Sequence, residues 1–207
     1  MNTHGKTLNR PRPGMTLLEI MVAGALLSVL LMFALLMTRS SAEFYSNASI
    51  NGAAEIAVES TLNEIVNELM ESRASLITQP TPLLTAPSSS SALTYRRVLS
   101  FDPATGISEY GPLSRIALEG GSLFVTEGVD TASPRSRVLA ERVTPFMAGE
   151  IQNGVDDNSN GLIDEAGLSF VLESPHTLRI YLSLERKNAN GSLEAVFGTS
   201  VVQLRNR

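Results

Sequence analysis

The chain is 207 residues long, carries a formal net charge of −5 and contains no cysteine. This length suits one globular domain plus one membrane element. The lack of cysteine excludes disulfides, thiolate nucleophiles and cysteine-based zinc sites, and because basic residues form no run beyond the extreme N-terminus, no nucleic-acid partner is predicted.

The beginning of the chain predicts a short leader followed by a membrane span. Residues 1–14 are polar and basic and end in Arg10-Pro11-Arg12-Pro13-Gly14. Residues 15–37 are predominantly apolar and carry one charge, Glu19, and about 20 such residues allow a helix to cross the hydrocarbon core. Since basic residues precede the span, the positive-inside bias places the N-terminus in the cytoplasm and the bulk of the chain outside. We therefore expect a single-pass membrane protein.

Residues 38–78 predict that the same helix continues as an exported amphipathic half, to about Ile77. Apolar residues recur there at helical spacing, namely Val58, Leu62, Ile65, Leu69 and Leu76. Three glutamates, Glu64, Glu68 and Glu71, repeat the helical step on a different face, which we expect to be solvated. Gly24 and Gly52 are candidate bends.

Beyond the helix, the composition predicts a linker and then a β-rich domain. Residues 79–92 are rich in proline and serine, which is typical of a linker or surface loop. Residues 93–207 form that domain, and their β-prone runs, separated by turn residues, are Leu93–Phe101, Leu113–Leu118, Ser122–Val125, Arg137–Val143, Leu168–Glu173, Thr177–Leu184 and Ala195–Leu204. Asn190-Gly191 predicts a hairpin turn before the last run.

These elements together predict an α+β fold. In the run Thr177–Leu184, apolar residues alternate with Arg179, Tyr181 and Ser183, as in a half-buried antiparallel strand. A long helix followed by a meandering antiparallel sheet must bury one face of that sheet on the apolar stripe of the helix. We expect that packing to involve the second half of the helix, since the first half lies in the membrane.

The junction between leader and span carries a motif. It reads Gly14-Met15-Thr16-Leu17-Leu18-Glu19, with a basic leader before it and glutamate at the fifth position of the apolar helix. This arrangement resembles the type IV pilin family and its relatives, the pseudopilins of type II secretion. The family usually has phenylalanine after the glycine, where this chain has Met15.

The resemblance implies a processed filament subunit with a pilin-like fold. Prepilin peptidase would cleave after Gly14, and the new amine of Met15 would be methylated. Glu19 would face the charged N-terminus of a neighbouring subunit on assembly, since a glutamate in an apolar membrane helix costs a few kcal/mol without a partner. The implied partners are other subunits, the peptidase and the inner-membrane assembly platform.

The resemblance also implies a place in the cell and in the machine. The subunit would sit in the bacterial inner membrane with its C-terminal domain in the periplasm, and then in a filament. The length, the linker and the closing strand are similar to minor subunits of the J type in type II secretion or the W type in pili. A secretion pseudopilus and a pilus both remain open.

An ordinary signal peptide or a plain membrane anchor is the alternative reading of the N-terminus. Ser40-Ser41-Ala42 has the small-x-small form of a signal-peptidase site. However, the apolar run is longer than the roughly 7–15 residues typical of a signal core. The helical pattern also continues past that site.

The segment 153–165 predicts a calcium loop. Its sequence, NGVDDNSNGLIDE, places oxygen donors at alternating positions around Gly161, as in an EF-hand. The predicted ligands are Asp156, Asn158, Asn160, the Leu162 carbonyl, Asp164 and Glu165. Position twelve departs from the pattern, because Gly167 stands where the bidentate glutamate belongs. An Asn/Asp/Gly-rich β-turn is the alternative, and calcium, if bound, would stabilise a long loop.

Residue chemistry does not favour an enzyme. His176 is a lone histidine at a predicted turn, Asp102–Gly106 reads as a turn, and Glu173 and Glu185 flank strands. No nucleophile, phosphate-loop or dinucleotide motif occurs. A membrane-anchored extracytoplasmic binding module therefore stands as the second function class, and an anchored enzyme as the third.

Overall fold

The computed structural model describes residues 14–77, 85–188 and 191–204. The chain divides into two compact units, Met1–Ser46 and Asn47–Arg207. Helix α1 spans Leu17–Met70, so the division between the units falls within it. The predicted leader, apart from Gly14, lies outside the described residues.

Helix α1 ends at Met70 rather than near Ile77, because the backbone after it bonds to a strand. The amide of Val98 donates to the carbonyl of Glu71 at 2.9 Å, and Ser72 forms a bridge with Arg97. A short 3-10 helix, Ala74–Leu76, follows. Neither Gly24 nor Gly52 interrupts the helix.

The β-rich domain contains two antiparallel sheets rather than the single sheet that the sequence predicts. The strands are β1 (Ala92–Phe101), β2 (Ser108–Glu119), β3 (Ser122–Glu127), β4 (Arg135–Ala140), β5 (Leu168–Ser174), β6 (Thr177–Lys187) and β7 (Leu193–Gln203). The first sheet has the order β1-β2-β3-β4 and the second the order β5-β6-β7. Asp102–Gly106 is the predicted turn, with the Asp102 carboxylate accepting from Ala104 and Thr105. All seven predicted runs are strands, with ends shifted by a few residues.

The end of the predicted linker takes part in this packing. Of the linker, residues 79–84 lie outside the described residues. Ser90 and Phe170 exchange two backbone hydrogen bonds, of 3.1 and 2.8 Å, so the segment just before β1 is joined to the second sheet.

The core forms on the second half of α1, as predicted, although the helix meets two sheets there and not one. Val58, Leu62, Ile65 and Leu69 are all buried, and they share one cluster with apolar residues of the two sheets, including Leu93, Ile116, Val125, Phe170 and Ile180. Leu76 departs from the predicted stripe, since it lies in the short 3-10 helix and is only half-buried. Burial of these side chains removes apolar surface from water and is the main force that holds the helix on the sheets.

Strand β6 confirms the predicted alternation. Leu178, Ile180, Leu182 and Leu184 are buried on the core side, and the strand pairs with β5 and β7 along most of its length. Ser183 is an exception to the alternation, since it is also buried; the Thr144 amide and hydroxyl both donate to its carbonyl, at 3.0 and 3.2 Å. The fold is α+β, as the sequence predicts.

The glutamate face of α1 was predicted to be solvated, but two of its three glutamates form ion pairs with arginines of the first sheet. Arg137 of β4 pairs with Glu64 and with Glu68. Glu68 also pairs with Arg97 and accepts a 2.7 Å hydrogen bond from the hydroxyl of Tyr95. These polar contacts join the helix to the first sheet beside the apolar core. Of the three predicted glutamates, Glu71 alone is exposed.

Candidate functional site

The N-terminal part of α1 exposes its apolar side chains. Every described residue from Gly14 to Ser46 is exposed, and near the middle of the apolar segment the exposed fraction is 61% for Leu26 and 62% for Phe33. By length and composition, α1 is the one helix within the described residues that is long and apolar enough to cross a membrane.

A capping box begins this helix. Thr16 donates to the Glu19 carboxylate from its backbone N–H, at 2.9 Å, and from its hydroxyl, at 3.1 Å. The Glu19 N–H in turn donates to the Thr16 hydroxyl oxygen at 3.3 Å. Such reciprocal bonds satisfy amides that the first turn of a helix leaves unpaired. Glu19 therefore has a partner within its own chain, which the sequence interpretation missed although Thr-x-x-Glu is a recognisable capping signal.

The predicted cleavage point lies next to this capping box. Gly14 precedes the helix, and nothing in the described structure comes within 4 Å of where a β-carbon would sit on it. Met15 is 79% exposed. Cleavage after Gly14 would place a free amine one residue before the Thr16 N–H that Glu19 binds. Processing itself stays a prediction.

The predicted calcium loop lies in the long connection between β4 and β5. Asp156 accepts hydrogen bonds from the amides of Asn160, at 3.1 Å, and Gly161, at 2.8 Å. Asn158 Oδ1 accepts from the Asn160 amide at 3.0 Å, and Asn160 Oδ1 accepts from the Leu162 amide at 2.9 Å. Gly161 has a φ of +88°, which an L side chain rarely adopts.

The last two predicted ligands, Asp164 and Glu165, occupy different places. Glu165 is 1% exposed, and its Oε1 accepts from the side-chain amides of Asn158, at 2.9 Å, and Asn160, at 2.5 Å. Asp164 instead accepts from the backbone amides of Asn153, at 2.8 Å, and Gly154, at 2.9 Å. The fold thus brings Glu165 to the two asparagines, while Asp164 closes the neighbouring turn.

Glu150 is a residue of this region that the sequence interpretation missed. It is 7% exposed, and its Oε1 accepts from the backbone amides of Asp157, at 2.9 Å, and Asn158, at 3.0 Å. Glu150 precedes the recognised pattern and belongs to no motif. No signal in the sequence marks it, because only the folding of the loop brings it beside Asn158.

Other residues weighed for chemistry are not assembled into a site. Glu173 pairs with Arg179 at 2.5 Å. His176 is half-buried in the turn between β5 and β6, and Glu185 is half-buried on β6. Among the described residues, no three histidine, cysteine, aspartate or glutamate side chains form a metal-binding group.

Comparison with protein-family models, curated proteins and solved structures found no match to this chain. The class of protein therefore follows from its own features. It is an α+β protein in which α1, the one long helix of the described residues, contributes its second half to the core and exposes a membrane-length apolar segment in its first half.

Proposed function

We propose that this protein is a filament subunit of the pilin and pseudopilin type, held in the bacterial inner membrane by the first half of α1. Its exported domain would face the periplasm before assembly. In the filament, the apolar segment would leave the lipid and pack against the same segment of neighbouring subunits.

The observation that carries this proposal is the contrast within one uninterrupted helix. From Val58 to Leu69 the apolar stripe is buried by the protein's own sheets. From Leu17 to Met37 the apolar side chains are exposed on every face. A helix that is hydrophobic all round needs an apolar environment, and lipid before assembly or other helices after it would provide one. A cleavable signal core would not need to continue into the helix of the folded domain.

The capping box refines the proposed role of Glu19. Its carboxylate already accepts two hydrogen bonds from Thr16, so it is not without a partner before assembly. All of these bonds to the carboxylate use Oε2. We infer that Oε1 is the atom offered to a charged amine, either that of Met15 in the same subunit after cleavage or that of a neighbour.

Mass spectrometry of the N-terminal peptide, taken from membranes of the native host, tests the proposal directly. We expect a peptide that begins at Met15 and carries one added methyl group, and no such peptide from Gly14→Val. A start at Glu43 would mean removal of a signal peptide, and an intact leader would mean a plain anchor. Either result would refute the filament proposal and favour an anchored binding module.

A pair of variants separates the charge of Glu19 from its capping role. Thr16→Ala removes the hydroxyl partner but keeps the carboxylate, whereas Glu19→Gln keeps a hydrogen-bond acceptor but removes the charge. If Glu19 recruits an amine, Glu19→Gln abolishes incorporation into filaments and Thr16→Ala does not. Equal defects in the two variants, measured by immunoblot of sheared filaments and of membranes, would reduce Glu19 to a helix cap.

The kind of filament is decided by phenotype. Loss of a pseudopilus subunit blocks release of exported proteins, whereas loss of a pilus subunit removes surface fibres and motility. The residues that carry the filament proposal are common to both kinds of subunit.

A further inference from the structure

The connection between β4 and β5 is held firmly at its base. The Met147 amide donates to the Glu165 carbonyl at 3.1 Å, and Phe146 forms a bridge with Ala166. Leu162 is 1% exposed and so inserts into the protein interior. The loop that carries the asparagines is thus joined at its two ends, and the buried Leu162 anchors it two residues after Asn160.

Two carboxylates are buried in this loop without a compensating charge. Glu165 is 1% exposed and Glu150 is 7% exposed. Oε2 of each has no hydrogen-bond partner in the described part of the chain. Neither forms a salt bridge with any described lysine, arginine or histidine. A buried, unpaired carboxylate is unfavourable, and such groups in proteins are normally paired or bound to a metal.

Both carboxylates converge on Asn158. Glu165 Oε1 accepts from its side-chain amide at 2.9 Å, and Glu150 Oε1 accepts from its backbone amide at 3.0 Å. Asn160 joins the same group through its 2.5 Å bond to Glu165. The Oδ1 atoms of Asn158 and Asn160 each accept one backbone N–H and keep a second lone pair, so two amide oxygens and a carboxylate can contribute to one cation site here.

We propose that Asp156, Asn158, Asn160 and Glu165 bind one Ca²⁺ ion, and that Glu150 positions Asn158 for it and adds negative charge beside the site. Glu165 would be the last ligand of the loop, as the glutamate at position twelve is in an EF-hand. Asp164 is left out of this set, because its carboxylate is bonded into the neighbouring turn, to the amides of Asn153 and Gly154, whereas Glu165 is bonded to both asparagines. Oxygen-only donors of this kind suit a hard cation.

Calorimetric titration of the full chain in detergent, after removal of divalent ions with a chelator, tests the site. We expect one calcium ion per chain and a rise in the unfolding temperature with calcium but not with equal magnesium. Extracellular calcium modules bind with dissociation constants of about 10⁻⁴–10⁻³ M. No heat and no thermal shift at calcium above that range would refute the site, and equal binding of magnesium would refute the ion.

Matched charge-neutral variants identify the ligands. Glu165→Gln should weaken calcium affinity at least tenfold, and Glu150→Gln should weaken it by a smaller factor that shrinks at high salt. Asp157→Asn is the control, because Asp157 is exposed and belongs to the same loop but not to the proposed set. Asp164→Asn should also bind like the unmodified protein.

Two outcomes would overturn this assignment of residues. One is equal affinity for Glu165→Gln and Asp157→Asn. The other is a loss of affinity on Asp164→Asn that exceeds the loss on Glu165→Gln. Should Glu165→Gln fail to fold at every calcium concentration, Asn160→Ser carries the same expectation of a weaker, calcium-specific site.

Discussion

The two halves of α1 both carry large apolar side chains, but they are opposite in what covers those side chains. Leu26, in the first half, is 61% exposed, whereas Leu62, in the second half, is 4% exposed. The second half is amphipathic and meets two sheets of its own chain, while the first half is apolar on every face and its described side chains are exposed. Helix formation and helix burial therefore have separate causes here. The chain forms the helix in both halves, but its own sheets bury only the second half.

The largest effect is expected from truncation of the buried stripe. Ile65 is 0% exposed, and Ile65→Ala should lower the free energy of unfolding of the domain by about 2–5 kcal/mol, because it removes apolar contacts and leaves a cavity. Urea unfolding of the full chain in mild detergent measures this loss. Leu26→Ala is the matched control, and a loss of similar size there would break the comparison between the two halves.

A smaller effect is expected where β7 crosses the helix. A β-carbon on Gly198 would lie 2.6 Å from Val58 Cγ1, so Gly198→Ala should destabilise the domain by about 1–3 kcal/mol through overpacking. Gly52→Ala serves as the control. It has open space around it within the same helix and should stabilise the protein by about 0.5–1 kcal/mol through better helix propensity. Thermal unfolding of both variants gives the two signs, and a stabilising Gly198→Ala would contradict the close approach of strand and helix.

The smallest effect is expected at the polar edge of the same contact. Burial, aided by the hydrogen bond and charge of Glu68, raises the pKa of Tyr95 above its ordinary value. The folded state therefore holds the phenolic proton more tightly than the unfolded chain, whose tyrosine pKa is about 10. This contribution to stability is complete below that pH and is lost as the pH rises towards the folded pKa.

Tyr95→Phe tests this contribution. The variant should lose about 1 kcal/mol of stability at neutral pH, because it loses the hydrogen bond to Glu68. It should also lose less stability than the unmodified protein when the pH is raised above about 10. Tyr45→Phe, at an exposed position, should change neither quantity. Parallel alkaline slopes for Tyr95→Phe and the unmodified protein in urea unfolding would disprove the linkage.

Local patterns predicted the elements of the fold well. The stripe Val58 to Leu69 and the alternation in β6 depend on side-chain periodicity, which is a property of neighbouring residues. The number of sheets was predicted wrongly, because two antiparallel sheets and one produce the same runs of β-prone residues. The end of α1 at Met70 was also missed, since a backbone bond from the distant Val98 decides it.

In the candidate sites too, local patterns were predictable from the sequence and contacts between distant residues were not. The membrane-length segment, the Gly14–Glu19 motif and the donors at Asp156, Asn158 and Asn160 were all visible in the sequence, because each is a short run with its own chemistry. Only the tertiary structure decided that Glu64 and Glu68 pair with arginines of the first sheet, that Asp164 accepts from the amides of Asn153 and Gly154 and that Glu150 accepts from the amide of Asn158. These are contacts between side chains whose positions depend on the packing of separate elements, and periodicity or spacing along the chain carries no information about them.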